Sequence, residues 1–153
     1  MPTMLSETEV APDFTLLGNA GQPIRLSDLR GRRVVLFFYP RADTPGCTVE
    51  ACEFRDRGDE FDAQGAVILG ISPDPVGDIR AFREKFQLPY RLLADPDHEI
   101  AQLYGVWKEK SMYGRTFWGV ERTTFVIDEQ GRITKVFRKV KPRGHAGEVL
   151  EGL

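Results

Sequence analysis

Apolar residues along this chain fall into unbroken runs and spaced sets, and the two kinds alternate. Residues 33–39 form an unbroken apolar run after Arg33, and Ala66 to Ile71 form another. Such runs fit strands buried on both faces. Between them, about Cys47 to Gln64 reads as a helix that ends before Gly65. Pro73-Asp74-Pro75 is a loop, and Ile79, Phe82 and Phe86 then share one face of a second helix at i, i+3, i+7. Leu92-Leu93-Ala94 is a short strand, after which Asp97 is expected to cap a helix carrying Ile100, Leu103 and Tyr104. Thr123 to Ile127 and Ile133 to Phe137 read as strands joined by the turn Asp128-Glu129-Gln130-Gly131. Ala146, Val149, Leu150 and Leu153 mark an amphipathic C-terminal helix. At the other end, Asp13 to Leu17 and Ile24 to Leu26 flank Gly18-Asn19-Ala20-Gly21 as a hairpin, and Ser27 caps a short helical turn ending at Gly31.

Strand, helix, strand, helix, then a hairpin and a last helix specify an α/β fold with a central mixed β-sheet flanked by helices. This is the order of a thioredoxin-like fold, here with an N-terminal β-hairpin extension. No repeat, linker or low-complexity segment interrupts the 153 residues, so residues 1–153 are expected to form a single domain.

Composition narrows the function classes. The chain is 41% hydrophobic and 29% charged, which is globular rather than disordered. Acids and bases interleave to a formal net charge of -2, which gives no footprint for nucleic acid. No apolar run approaches the roughly 20 residues of a membrane span. Residues 1–14 are polar and acidic, unlike a signal peptide, so the expected setting is cytoplasmic. In that compartment two cysteines point to catalysis more than to a structural bridge.

Those two cysteines, Cys47 and Cys52, stand five positions apart in Tyr39-Pro40-Arg41-Ala42-Asp43-Thr44-Pro45-Gly46-Cys47-Thr48-Val49-Glu50-Ala51-Cys52. The apolar run upstream and the helical pattern downstream put Cys47 where a buried strand feeds a helix N-terminus. Unpaired N–H groups and the positive end of the helix dipole favour a thiolate there. Pro45 fits only the first turn of the helix, and Gly46 lets the backbone bend and leaves the sulfur approachable. In an ideal helix the two Cα atoms would be about 8.7 Å and about 140° apart, beyond the roughly 7 Å that a disulfide spans. Either the thiols never pair, or the first turns of the helix unwind when they do. Two cysteines and the distant His98 and His145 do not make a zinc site. Both histidines are read as helix-start residues without a catalytic role, His98 at the surface.

Pro40, Thr44 and Cys47 match the pattern Pro-x-x-x-Thr-x-x-Cys, which resembles the peroxiredoxin active-site loop. Thr48-Val49-Glu50-Ala51-Cys52 is similar to the branch called PrxQ or bacterioferritin comigratory protein. A distant segment, Gly119-Val120-Glu121-Arg122-Thr123-Thr124-Phe125-Val126-Ile127-Asp128, resembles the stretch that carries that family's active-site arginine. Ala11-Pro12-Asp13-Phe14-Thr15-Leu16 and Lys139-Val140-Lys141-Pro142-Arg143-Gly144-His145 extend the likeness over nearly the whole chain.

The resemblance implies a thiol peroxidase that acts on hydrogen peroxide and alkyl hydroperoxides without metal or other cofactor. It makes Cys47 the attacking thiolate and Cys52 the resolving thiol of an intramolecular disulfide, with thioredoxin as the reductant. Arg122 is then expected beside Cys47, where its planar donors can hold the peroxide oxygens. The Thr44 hydroxyl would bridge thiolate and peroxide, the amides of Gly46 and Cys47 would stabilise charge on oxygen, and Pro40 would wall the pocket. Glu50 is given the part of holding an arginine. Arg41 and Asp43 are read as solvated loop charges. Met112 to Trp118 are read as pocket lining, a weak association patch, or loop side chains folded on the core. The chain ends at Leu153 with no cysteine-bearing tail, which suggests a monomer. The competing reading is a redox sensor or chaperone-like binding module of the same fold, triggered by peroxide.

Overall fold

The computed structural model describes residues 5–153, so the first four residues of the segment read as lacking a signal peptide lie outside it. Nine strands are described: β1 Thr15–Gly18, β2 Pro23–Arg25, β3 Arg33–Phe38, β4 Ala66–Ser72, β5 Arg91–Ala94, β6 Trp107–Met112, β7 Arg115–Val120, β8 Thr123–Ile127 and β9 Ile133–Phe137. The helices are α1 Pro45–Asp56, α2 Gly58–Ala63, α3 Val76–Phe86, α4 Glu99–Leu103 and α5 His145–Glu151, with a 3-10 turn at Leu26–Leu29. Seven strands form one mixed sheet in the order β2-β1-β5-β4-β3-β8-β9. β3 pairs parallel with β4 and antiparallel with β8, and β4 pairs parallel with β5. The N-terminal hairpin β1–β2 extends this sheet by pairing β1 antiparallel to β5.

The unbroken apolar run of β3 is buried because the sheet is covered on both sides. Val35, Phe37 and Tyr39 point into one cluster, with Ala51 and Phe54 of α1, Ile79 and Phe82 of α3, and Val149 of α5. Val34, Leu36 and Phe38 point into the other, with Tyr104, Val106, Phe125 and Ile127. The pleat assigns alternate residues to opposite faces. Among the described residues, no helix is long and apolar enough to cross a membrane.

The structure corrects several local expectations. The helix expected over about 47–64 begins at Pro45 and breaks at Arg57, so it is two helices, α1 and α2. Pro45 occupies the first helical position, where a missing N–H costs nothing. Ser27 does not cap the early turn; its amide donates to Asp13 Oδ1 at 2.9 Å, so Asp13 does that job. Asp97 does not cap α4 either. Buried Asp95 accepts the amides of Ile100 and Ala101, because its position two residues earlier aims its carboxylate at the helix start. Leu103, assigned to the apolar face of α4, is instead exposed, while Tyr104 is buried.

Residues 107–120 form a second antiparallel hairpin, β6–β7, separate from the main sheet. Charged and aromatic side chains occur together on each of its faces, Glu109 with Trp118 and Lys110 with Phe117, so no alternation announces it. Met112, Tyr113, Phe117 and Trp118 are exposed, Tyr113 almost fully at 97%. Of the three readings given for this stretch, side chains folded onto the core is the one that these four residues rule out, because the hairpin carries them away from the sheet.

One small residue shapes the packing beneath α1. Gly70 in β4 lies opposite Phe37 of β3. A Cβ there would come within 2.9 Å of Phe37 Cζ and of Leu92 Cδ2. The Phe37 ring stacks on Phe54 of α1, with centroids 4.8 Å apart. Gly70→Ala is therefore expected to destabilise the fold by about 1–3 kcal/mol through overpacking. A lower urea midpoint with an unchanged slope is the expected result, and an unchanged midpoint would show that the ring moves freely.

Candidate active site

Three connections meet beside the sulfur of Cys47. β3 ends at Phe38, and Tyr39 and Pro40 carry the chain out of the sheet into the loop that opens α1. In that loop Asp43 adopts a positive φ of 60° and pairs with Lys85 at 2.9 Å, while Asp74 accepts the Ala42 amide at 2.8 Å. Arg41 is exposed. Arg41 and Asp43 thus shape and solvate the loop away from the sulfur.

Thr44 is the N-cap of α1 by backbone position, and its carbonyl accepts the Thr48 amide at 2.9 Å. Its hydroxyl donates to the Arg41 carbonyl at 2.9 Å instead of capping the helix, which leaves the oxygen able to accept a further hydrogen bond. Pro45, Gly46 and Cys47 form the first turn, whose amides precede the first intrahelical bond. Cys47 is buried. Pro40 is half-buried at the exit from β3.

α1 presents Cys47, Glu50, Ala51 and Phe54 as its buried stripe, at i, i+3, i+4 and i+7. A carboxylate in that stripe demands a partner. Arg122, in the two-residue link between β7 and β8, supplies it. Its Nη1 donates to Glu50 Oε1 at 2.8 Å and to Cys47 Sγ at 3.4 Å. Glu50 has no exposed surface, and its other oxygen, Oε2, has no partner within hydrogen-bonding reach. Gly46 makes room for this arrangement: a Cβ there would lie 3.3 Å from Arg122 Nη2 and 3.4 Å from Pro142 Cγ. The Arg122 carbonyl in turn accepts the Val140 amide at 3.0 Å, which brings the segment after β9 to the site.

Burial pushes the Glu50 carboxyl up to about 7, with the charge and hydrogen bond of Arg122 pulling the other way. Burial also opposes the charge on Arg122, but Glu50 and Cys47 outweigh it and the guanidinium stays firmly protonated. Cys52, one turn and a half along, is half-buried and off the stripe. Burial raises its thiol pKa, and nearby Arg55 offsets part of that. Both cysteines are unpaired thiols, and α1 is helical through both.

Arg122, Cys47 and Gly46 are thus brought together from the expected set, with Thr44 and Pro40 on the adjoining loop. Glu50 does hold an arginine. His145 starts α5, as expected, and is buried there, with Nε2 2.7 Å from Thr124 Oγ1 and Nδ1 3.0 Å from Glu148 Oε1. Its ring packs edge-on to Phe54 and Phe137, and burial keeps it neutral by lowering its pKa. Gly144 before it, at φ 84°, turns the ring inward, which no pattern in the sequence signals. His98 is half-buried and lies flat on Trp107, with centroids 4.0 Å apart.

Two neighbours went unnoticed in the sequence. Pro142 packs against Gly46, inside a segment already quoted for its resemblance. Lys110 of β6 is half-buried, and burial together with Arg122 lowers its pKa while Cys47 and Glu121 raise it. It lay in a stretch without core periodicity, so only the hairpin register reveals it.

Comparison with known proteins agrees with this arrangement. The AhpC/TSA family model matches residues 8–136. The chain is 47% identical over 143 residues to a protein named peroxiredoxin Bcp from Bacillus subtilis, covering 94% of this chain and 91% of that one. It is 43% identical over 149 residues to peroxiredoxin Bcp from Escherichia coli, covering 97% and 96%. Its fold is similar to that of the Xanthomonas campestris bacterioferritin comigratory protein, studied for alkyl peroxide reduction, with a TM-score of 0.86, 38% identity and coverage of 90% and 88%. It is also similar to the peroxidoxin BcpB of Mycobacterium tuberculosis, with a TM-score of 0.87, 39% identity and coverage of 98% and 96%. A buried thiol under a guanidinium, on a thioredoxin-like sheet and with relatives of this kind along almost its whole length, places the chain in the AhpC/TSA family, as a thiol peroxidase of the peroxiredoxin Bcp or PrxQ branch.

Proposed function

We propose that this peroxidase reduces hydrogen peroxide and alkyl hydroperoxides at Cys47, resolves the product with Cys52, and is recycled by thioredoxin in the cytoplasm. The observation that carries this reading is the Arg122 guanidinium, which donates to the Cys47 sulfur while anchored on buried Glu50. A fixed cation favours the thiolate and offers further N–H donors to an incoming peroxide.

The Cys47 thiolate attacks one peroxide oxygen and the O–O bond breaks. Sulfur is oxidised to sulfenic acid, and the leaving oxygen takes a proton to become water or an alcohol. Arg122 and the Gly46 and Cys47 amides face the charge that moves onto oxygen, and the Thr44 hydroxyl joins them as a donor only by turning from the Arg41 carbonyl. Pro40 limits water. Cys52 then attacks the Cys47 sulfur, the S–O bond breaks, and water leaves with the thiol proton. Since α1 holds the two residues too far apart to bond, its first turns must open for this step. Both cysteines sit on one helix, so the cycle requires no second subunit, which supports a monomer. A thioredoxin dithiol reduces the bridge and becomes a disulfide itself.

A coupled assay with thioredoxin, its reductase and NADPH tests the whole reading. Many peroxides consumed per chain are expected; oxidation that stops after one equivalent would favour the sensor reading. Cys47→Ser is expected to abolish turnover with the fold intact. Cys52→Ser should react once and then accumulate sulfinic acid.

Arg122→Met keeps a similar volume but removes the cation. Its peroxide reaction is expected to slow by about 10²-fold or more, the scale set by losing one preorganised donor. A rate within twofold of wild type would place the catalytic charge elsewhere.

Glu50 makes a pH-dependent contribution to stability. Its folded pKa is raised above the ordinary 4.5 to about 7, so the folded state binds the proton more tightly than the unfolded chain. Stability from this group is greatest below the unfolded value and falls as pH rises through about 7. Glu50→Gln shares every other titrating group. Its stability relative to wild type, from urea melts, is expected to improve steadily between pH 5 and pH 8. A flat or opposite trend would mean that Arg122 keeps Glu50 ionised throughout.

A further inference from the structure

The proposed cycle requires α1 to open between its cysteines, so the contacts that hold that stretch closed set the pace of resolution. Among the described residues, three hydrogen bonds reach it from outside the helix. Two are the Arg122 bonds to Cys47 and Glu50 at the site itself. The other comes from the far side. The Tyr90 hydroxyl donates to the Ala51 carbonyl at 2.7 Å, and both residues are buried.

Tyr90 is well fixed. It lies immediately before β5, Arg83 Nε donates to its carbonyl at 3.0 Å, and its ring meets Phe37 edge-on with centroids 5.8 Å apart. The Ala51 carbonyl belongs to the peptide that joins Ala51 to Cys52. A Cys47–Cys52 bridge closes a ring containing every backbone atom from Cα of residue 47 to Cα of residue 52, and that peptide is the last unit in it. Shortening the Cα separation from its helical value requires the peptides of this ring to turn. Holding the last one therefore opposes closure. The other outside bonds on α1, Gly144 N to Glu53 Oε1 and Arg55 Nη1 to the Phe86 carbonyl, lie beyond Cys52 and outside the ring.

We propose, resting on the disulfide cycle above, that Tyr90 is a positioning residue that clamps the Ala51–Cys52 peptide and thereby slows the step from sulfenic acid to disulfide. Its hydroxyl touches neither the peroxide nor the reacting sulfurs. It sets how long oxidised Cys47 stays in the closed site, where a second peroxide can carry it to sulfinic acid.

Tyr90→Phe removes the clamp and keeps the ring. Tyr104→Phe is the control, because the Tyr104 hydroxyl donates to the Pro12 carbonyl on the opposite side of the sheet. Reduced proteins are mixed rapidly with hydrogen peroxide, quenched in acid and resolved by mass spectrometry into sulfenate, disulfide and sulfinate. For Tyr90→Phe, unchanged sulfenate formation is expected, with disulfide formation roughly 2- to 10-fold faster, the factor carried by one neutral hydrogen bond. Sulfinic acid should fall correspondingly at a given peroxide concentration. Tyr104→Phe should leave all three unchanged. Equal or slower disulfide formation in Tyr90→Phe overturns the proposal, as does an equal acceleration in Tyr104→Phe, which would reduce the effect to general loss of stability. Wild-type protein that forms no Cys47–Cys52 bridge removes the cycle itself and the proposal with it. Should Tyr90→Phe not fold, amide exchange in the wild type decides. Arg55 N–H is the helical partner of the same carbonyl, so its protection should drop on oxidation, and retained protection overturns the clamp.

Discussion

A carboxylate on the buried stripe of a helix obliges the protein to bring a cation to it, and the active end of this molecule is organised around that obligation. Glu50 has no route to water, so Arg122 must reach across from the β7–β8 link. Removing one partner from such a pair costs about 3–5 kcal/mol, mostly from the charge left behind. The guanidinium cannot drift, and its position over the Cys47 sulfur follows from its duty to Glu50. Gly46 completes the geometry by leaving the space that the arginine fills. The link itself is held by Val140 from beyond β9 and by Val106, which accepts the Glu121 amide at 2.7 Å.

This explains why α1 is well formed in the reduced protein although its sequence is a poor amphipathic helix. Its buried stripe contains a thiol and a carboxylate, with Ala51 and Phe54 as the apolar members. Side-chain and backbone bonds from four other segments supply what apolar burial does not: Arg122, Tyr90, Gly144 and the Phe86 carbonyl. Polar attachments of this kind are directional and break one at a time, whereas a packed apolar face separates only as a whole. Such a helix suits a site that has to be both rigid for one step and open for the next.

The central strands were legible in the sequence because burial on both faces leaves an unbroken apolar run, as in residues 33–39. The α3 face was legible from the spacing of Ile79, Phe82 and Phe86. Capping was less so: Asp13 and Asp95 act on turns that they do not immediately precede, and the nearer Ser27 and Asp97 mislead. The β6–β7 hairpin left no trace because only its base, Trp107 and Val120, packs on the core, which is too little to impose an alternation. Within the site, Cys47 and Arg122, 75 positions apart, were each found from a local motif. Lys110, Pro142 and the inward turn of His145 depend on long-range packing that no local pattern encodes.

The buried Glu50 also bears on how this protein can change over time. Selection for folding stability alone would replace a buried carboxylate with a leucine or methionine, since well-packed apolar substitutes for buried ion pairs often stabilise by about 1–4 kcal/mol. Such a replacement would free Arg122 from its anchor and let α1 settle as an ordinary core helix. The site thus occupies a position where thermostability and activity pull in opposite directions. Attempts to harden the protein for industrial or storage use have room in the exposed hairpin and the surface loops, and very little along the stripe Cys47, Glu50, Ala51 and Phe54.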